Sequence, residues 1–357
     1  MLSVRRLAAL RLGSALALVV LAAVLFPTLS FSQTTKPAGV WINATSNVGG
    51  NKWGYAGITT MAAVPGTGQV IAGVSEAGLW ESEDGGKSWV KLGQSDVVQI
   101  LNRPYQIVFD PKDPKTFWET GNSDGPGLFK TTDGGKTFAP IGNVAQVDGL
   151  GIDFSDPQRK TLVIGHHEQP RSVEKSMDGG LSWLKIGQML PDNFNFTSDV
   201  VLIDANTIIV NAAGWQKEAA FGIFRTEDGG KTWTRVSDAG PSGIPCVASD
   251  GAIYWQALWA KGLVKSSDQG KKWDSPGGPV KDNPIELPGQ KLVSFVERQL
   301  YASADGAVTW EKFGPEMPFK PSGICYNAKT RTLYAWRSTE GKEDNVIVKW
   351  EMNGGGS

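Results

Sequence analysis

The sequence predicts an all-β chain folded as a seven-bladed β-propeller with four-stranded antiparallel blades. Three observations predict it. A motif of eight residues built around aspartate and glycine recurs six times in 357 residues. Successive aspartates lie 37 to 50 residues apart, which is the length of one propeller blade. The composition agrees: 44 glycines, 14 tryptophans and only 20% charged residues suit many short strands joined by tight turns.

The copies are Ser82–Trp89, Thr131–Phe138, Ser176–Trp183, Thr226–Trp233, Ser266–Trp273 and Ser303–Trp310. Each opens on a hydroxyl residue, carries aspartate third and ends on an aromatic. Asp84, Asp133, Asp178, Asp228, Asp268 and Asp305 are therefore read as structural, although they resemble a set of catalytic carboxylates. A carboxylate at that place accepts turn N–H groups, and the glycines that follow supply positive φ without a steric cost. The closing aromatic packs between strands and contributes roughly 1.5–3 kcal/mol by burial.

Strands precede each copy in a fixed order. In the second repeat, 106–110, 116–120 and 127–130 read as strands, and the motif turns into a fourth at 138–141. The third repeat gives 150–154, 161–165, 172–176 and 182–186. After the last motif, 322–327, 332–336 and 345–350 form three more strands with no motif behind them. The fourth is expected from the other end of the chain, where Val40-Trp41-Ile42 matches the pattern of Thr232-Trp233-Thr234. That strand would close the ring and leave no exposed sheet edge. Six blades is the alternative.

The motif resembles the Asp box (BNR repeat) of the sialidase-like propellers, and the resemblance covers nearly all of the chain after the leader. The repeated Asp-Pro pairs, as in Asp110-Pro111 and Asp156-Pro157, are similar to those of xyloglucanase-like propellers and of the photosystem II assembly factor. The resemblance to sialidases stops at the scaffold. Arg103-Pro104 lacks the isoleucine of the Arg-Ile-Pro motif and follows the first box, and no tyrosine–glutamate nucleophile pair can be assigned. Sialidase activity is not expected.

The N-terminus reads as an export signal spanning 1–32. Basic residues Arg5, Arg6 and Arg11 flank an apolar run of about 15 residues, where a membrane span needs roughly 20. A single propeller domain is expected over 33–353, with a Gly/Ser tail at 354–357. The chain's net charge of −1 becomes −4 once those three arginines are removed (−1 − 3), so nucleic acid is not an expected partner. An exported protein, periplasmic or extracellular, is expected, acting as a monomer with no stable membrane anchor after cleavage. Cys246 and Cys325 fall two blades apart and are expected to be buried free thiols.

Strand order places the loops. Motif hairpins share one face, and the second-to-third and blade-to-blade loops share the other, around the channel mouth. Tyr55, Arg103, Tyr105, Asp124, Glu168, Trp215 and Trp259 are the expected ligand contacts there. Glu286 is also placed on that rim. His166 and His167 are the only histidines and suit general-base work near neutral pH. One His-His-Glu run supplies too few ligands for a metal, so no metal or cofactor is expected. Asp148 and Asp199 start adjacent inner strands and are the carboxylate pair a glycosidase would need. The first reading is a propeller binding a glycan or protein partner at this face. The alternative is a carbohydrate-active hydrolase or lyase using these acids.

Overall fold

Alternation along a strand buries both faces only when a sheet is stacked between two others. Leu162–His166 and Ile208–Ala212 are buried at every position, as sheets inside a radial stack must be. The computed structural model describes residues 39–93, 98–193, 196–213, 221–258, 262–339 and 345–352. The leader and the Gly/Ser tail lie outside the described residues.

Seven antiparallel sheets form, which settles the blade count against six. Their inner strands are Ile58–Ala63, Arg103–Asp110, Val147–Ile152, Val200–Leu202, Gly240–Val247, Ile285–Leu287 and Gly323–Asn327. Six sheets have four strands. In the fifth blade the outermost strand shrinks to one bridge between Lys265 and Asp274. Cores lie between blades: Ile209 of the fourth packs in one cluster with Trp255 of the fifth.

The chain ends close the ring. Ile42–Asn43 pairs antiparallel with Val346–Glu351, in register Ile42 to Lys349 and Asn43 to Val348. Only two residues pair in the ladder, and Ala44 N adds a bond to Ile347 O at 2.8 Å, so side chains must hold much of the seam. Trp41 Nε1 donates to Pro315 O at 3.0 Å, and its ring lies 6.1 Å from that of Trp350.

The repeated hairpins hold themselves by local hydrogen bonds. Asp84 Oδ1 accepts from Ser88 N at 2.9 Å, and Oδ2 accepts from Ser88 Oγ at 2.7 Å. Asp133, Asp178, Asp228 and Asp305 repeat both contacts. Asp268 keeps only the backbone contact, because Lys272 stands where the others have a hydroxyl. Side chains then tie blade to blade. Trp89 Nε1 donates to Ala44 O at 3.0 Å, and Trp233 Nε1 to Ile186 O at 2.9 Å. Arg225 Nε reaches Gln269 O at 2.8 Å, and Lys265 Nζ reaches Gly306 O at 3.1 Å. All six aspartates are thus occupied in building the propeller.

Topology separates the two faces. Gly134 N and Gly179 N donate to Lys115 O and Lys160 O, at or just before the starts of the second strands of their blades. The second-to-third connection, which includes His167, leaves from the other end of the same strands.

Trp41→Ala removes a partly buried hydrogen bond and the contact with Trp350, so a loss of about 2 kcal/mol is expected. Val40 is 76% exposed, and Val40→Ala should change nothing. Denaturant midpoints of the two variants check this.

Candidate functional site

Two glycines bring the carboxylates together. A Cβ at Gly149 or at Gly165 would lie 2.5 Å from Ser198 O, so only glycine lets the third blade approach the fourth so closely. Gly149 N donates to Ser198 O at 2.8 Å across this seam. The strand bulges between Val147 and Leu150, re-aiming Asp148 into the mouth. Asp148 and Asp199 thereby face one another's field beneath the rim, 3% and 1% exposed.

Neither carboxylate is left free. Asp148 accepts from Asn122 Nδ2 at 2.6 Å and from His167 Nδ1 at 2.8 Å. Asp199 accepts from Tyr105 Oη at 2.9 Å and from Asn211 Nδ2 at 3.1 Å. Arg103 completes the cluster. Its Nε donates to Asn122 Oδ1 at 2.6 Å, and its Nη2 lies 3.1 Å from His167 Nε2. A guanidinium only donates, so His167 Nε2 accepts and the ring proton sits on Nδ1, directed at Asp148. His167 is neutral in this arrangement, and its one basic nitrogen is covered.

Burial, reinforced by the charge of Asp148, pushes the Asp199 carboxyl up to about 7. The Tyr105 phenol is pushed well above its ordinary range by burial and then by Asp199 and Asp148. A third acid lies deeper: Glu119 is fully buried on the second strand of its blade, and burial pushes it up to about 8. Asn102 Nδ2 reaches it at 3.4 Å, while Asn102 Oδ1 and Glu119 Oε1 lack partners. A proton on Glu119 turns that carboxyl into the donor its neighbourhood is missing.

Beside Tyr105 the channel opens into a cavity of about 580 Å³. Ile244, Pro245, Val247, Ile285 and Trp336 give it an apolar wall, and Gln256, Asn283, Asp282 and Glu286 add polar and acidic groups. The mouth is therefore two-sided, with the buried acid cluster on the second to fourth blades and an apolar wall edged by two acids on the fifth to seventh.

The structure gathers Arg103, Tyr105, Asp148, His167 and Asp199 into one cluster of two hydrogen-bonded groups, Arg103–His167–Asp148 and Tyr105–Asp199. Tyr55, 57% exposed, lies over it, with the Arg103 guanidinium 5.9 Å from its ring centre. Glu168 is exposed at the rim, 3.7 Å from His167 Nε2. Asp124 is exposed on the same rim, apart from the network. His166 turns away: it ends a strand, is buried, and its Nδ1 pairs with Ala145 O at 2.9 Å. Trp215 and Trp259 lie outside the described residues.

Two expectations need correcting. Glu286 is within an inner strand and accepts from Ser249 N and Oγ, both at 2.8 Å, toward the motif end. An acid in mid-strand cannot share the rim loops. Both cysteines are free, but only Cys325 is buried; Cys246 lines the cavity. The bulged fifth-blade strand turns it partly outward.

Sequence reasoning missed Asn122 and Asn211 as functional partners, along with Glu119. Their signal was present. A fully buried amide in the run Ile208-Ile209-Val210-Asn211 needs a polar partner.

No protein-family model matches the chain. A xyloglucanase from Paenibacillus sp is 26% identical over 155 residues, which is 40% of this chain and 14% of that protein. The chain thus spans about a seventh of the curated relative's length. Among solved structures, YCF48 bound to D1 peptide is similar at TM-score 0.56 and 14% identity, covering 88% of this chain and 97% of that one. The GH74 xyloglucanase from Xanthomonas campestris is similar at TM-score 0.55 and 17% identity, covering 88% and 56%. At such identities the likeness is one of fold.

Stability should depend on pH with two opposed slopes. Glu119 and Asp199 hold protons in the folded chain that the unfolded chain releases near pH 4, so stability falls as pH rises from about 4 to 8. Motif aspartates act oppositely: the Ser88, Ser182 and Thr309 hydroxyls hold Asp84, Asp178 and Asp305 down at about 2. Their contribution is lost as pH drops from about 4 to 2. Denaturant midpoints should therefore peak near pH 4 to 5. Glu119→Gln should flatten the alkaline slope, gaining on the order of 3 kcal/mol at pH 8.

Proposed function

We propose that the chain is an exported binding propeller that holds a glycan or a protein segment at the channel mouth. The observation that carries this reading is the saturation of the acids. Both Asp148 oxygens and both Asp199 oxygens accept side-chain hydrogen bonds. Arg103 covers the only nitrogen of His167 that could take a proton. The acids then serve to orient Arg103 and Tyr105, and the groups facing a ligand are the half-buried Arg103 and the exposed Tyr55, Asp124 and Glu168. Trp215 and Trp259 are proposed to extend the surface. The sequence of 1–32, read as an export signal, is what favours a periplasmic or extracellular setting. Two similar folds agree with either ligand class, one named for a bound peptide and one for xyloglucan.

One observation favours the hydrolase reading. An acid held at about 7, as Asp199 is, can donate a proton at neutral pH.

A panel of oligosaccharides and unstructured peptides, assayed by calorimetry and for released products, separates the two. Binding without product is expected. Arg103→Ala should weaken it by about tenfold or more, as loss of a charged donor does. Asp199→Asn should leave affinity within about threefold, since Asp199 is buried beneath the contact surface. Product release that Asp199→Asn abolishes would establish the hydrolase instead.

A further inference from the structure

The third hairpin departs from most of its relatives. Three places after the aspartate stand Lys87, Lys136, Lys231 and Lys271 in four copies and Val308 in the sixth, but Leu181 here. The residue before the aspartate is Glu83 or Glu227 in two copies and small or hydroxylic in three, but Met177 here. Neither change serves the core: Leu181 is 84% exposed and Met177 68%. Leu184 and Met189 follow at 67% and 69%. Single exposed apolar residues are ordinary, whereas Met177, Leu184 and Met189 lining one groove make a patch that marks a contact surface.

The patch borders a groove of about 750 Å³ between the third and fourth blades, floored by Trp183 and Ile186. Lys185 and Lys231 stand on its walls, and neither meets a carboxylate among the described residues. The acid in the groove is committed: Asp228 accepts from Thr226 Oγ1 at 2.7 Å, and from Thr232 N and Oγ1 at 2.9 Å and 2.6 Å. Lys175 is committed too, its Nζ donating to Ala205 O. The free charge around the apolar floor is therefore positive.

We infer that this groove docks an acidic amphipathic segment of another protein, its apolar side chains against Met177, Leu184 and Met189 and its carboxylates on Lys185 and Lys231. A concavity is filled by side chains projecting from a helix or strand, and a flat bilayer surface would leave it empty. The hairpin lies on the motif face, opposite the channel mouth, so ligand and partner would be held at once.

The test uses the full chain and a labelled helical peptide with leucine along one face and glutamate beside it. Its lysine counterpart, vesicles of phosphatidylcholine with phosphatidylglycerol, and sedimentation of the chain alone are measured alongside. The acidic peptide should bind, weaken with salt, and exceed the lysine peptide. Met177→Thr, the residue the second hairpin carries as Thr132, should preserve the fold and reduce binding by about tenfold, as loss of one buried methionine contact does. Lys231→Glu should reduce it similarly. The inference is overturned if the acidic peptide does not bind, or binds the Met177→Thr variant equally. Self-association or vesicle binding that Met177→Thr abolishes, without peptide binding, overturns it as well.

Discussion

Everything in this molecule depends on a seam of two residues. A blade stack that did not close would leave the apolar faces of its first and last blades bare, where Val70 and Ala72 now pack in one cluster with Tyr334 and Trp336. Ile42 and Asn43 hold the ring closed by completing the last blade from the other end of the chain. Because the pairing is so short, tryptophans supply its strength: Trp41 and Trp350 at the seam, Trp89 against Ala44 just beyond it. Closure also fixes which loops share a rim, and so gathers Arg103, His167 and Asp199 from three blades.

At that rim the chemistry is decided by what each polar group already touches. Carboxylates taken into a low-dielectric site must be paired or protonated. Asp148 is paired, through Asn122 and the imidazole that leads to Arg103. Asp199 is bonded by Tyr105 and Asn211 and sits near the edge of protonation, since burial disfavours its charge and its neighbour repels a second one. The result is a rigid platform presenting one cation and one aromatic ring to solvent. Rigidity of this kind serves recognition, because little ordering remains to be done when a ligand arrives.

Much of this was legible in the sequence, and the reasons are physical. Periodic motifs force a periodic fold, so the blade count and the closing strand could be read from Trp41 and the motifs. Faces followed from strand order alone, which put Arg103, Tyr105, Asp148, His167 and Asp199 on one rim. What could not be read was partnership. Nothing local distinguishes His167, aimed at Asp148, from His166, turned toward Ala145, since alternation sends neighbours to opposite sides. Glu286 was misplaced because an acid near a strand start looks the same as one in its middle. Asn122 reads only as part of the polar rim and Asn211 passes unnoticed, because amides do not suggest chemistry, although burial makes both obligatory partners.

Two surfaces thus emerge on one ring, a polar mouth and an apolar departure on the motif face, each built from deviations in otherwise repeating strands. The mouth rests on a chain of three groups, and its middle member reports on the whole. Side-chain nitrogen NMR of His167 at neutral pH reads that member directly. A neutral ring protonated at Nδ1, with Nε2 accepting from Arg103, is the predicted result. A ring protonated at Nε2, or exchanging freely between tautomers, would show an available base at the mouth and contradict the reading of these acids as supports.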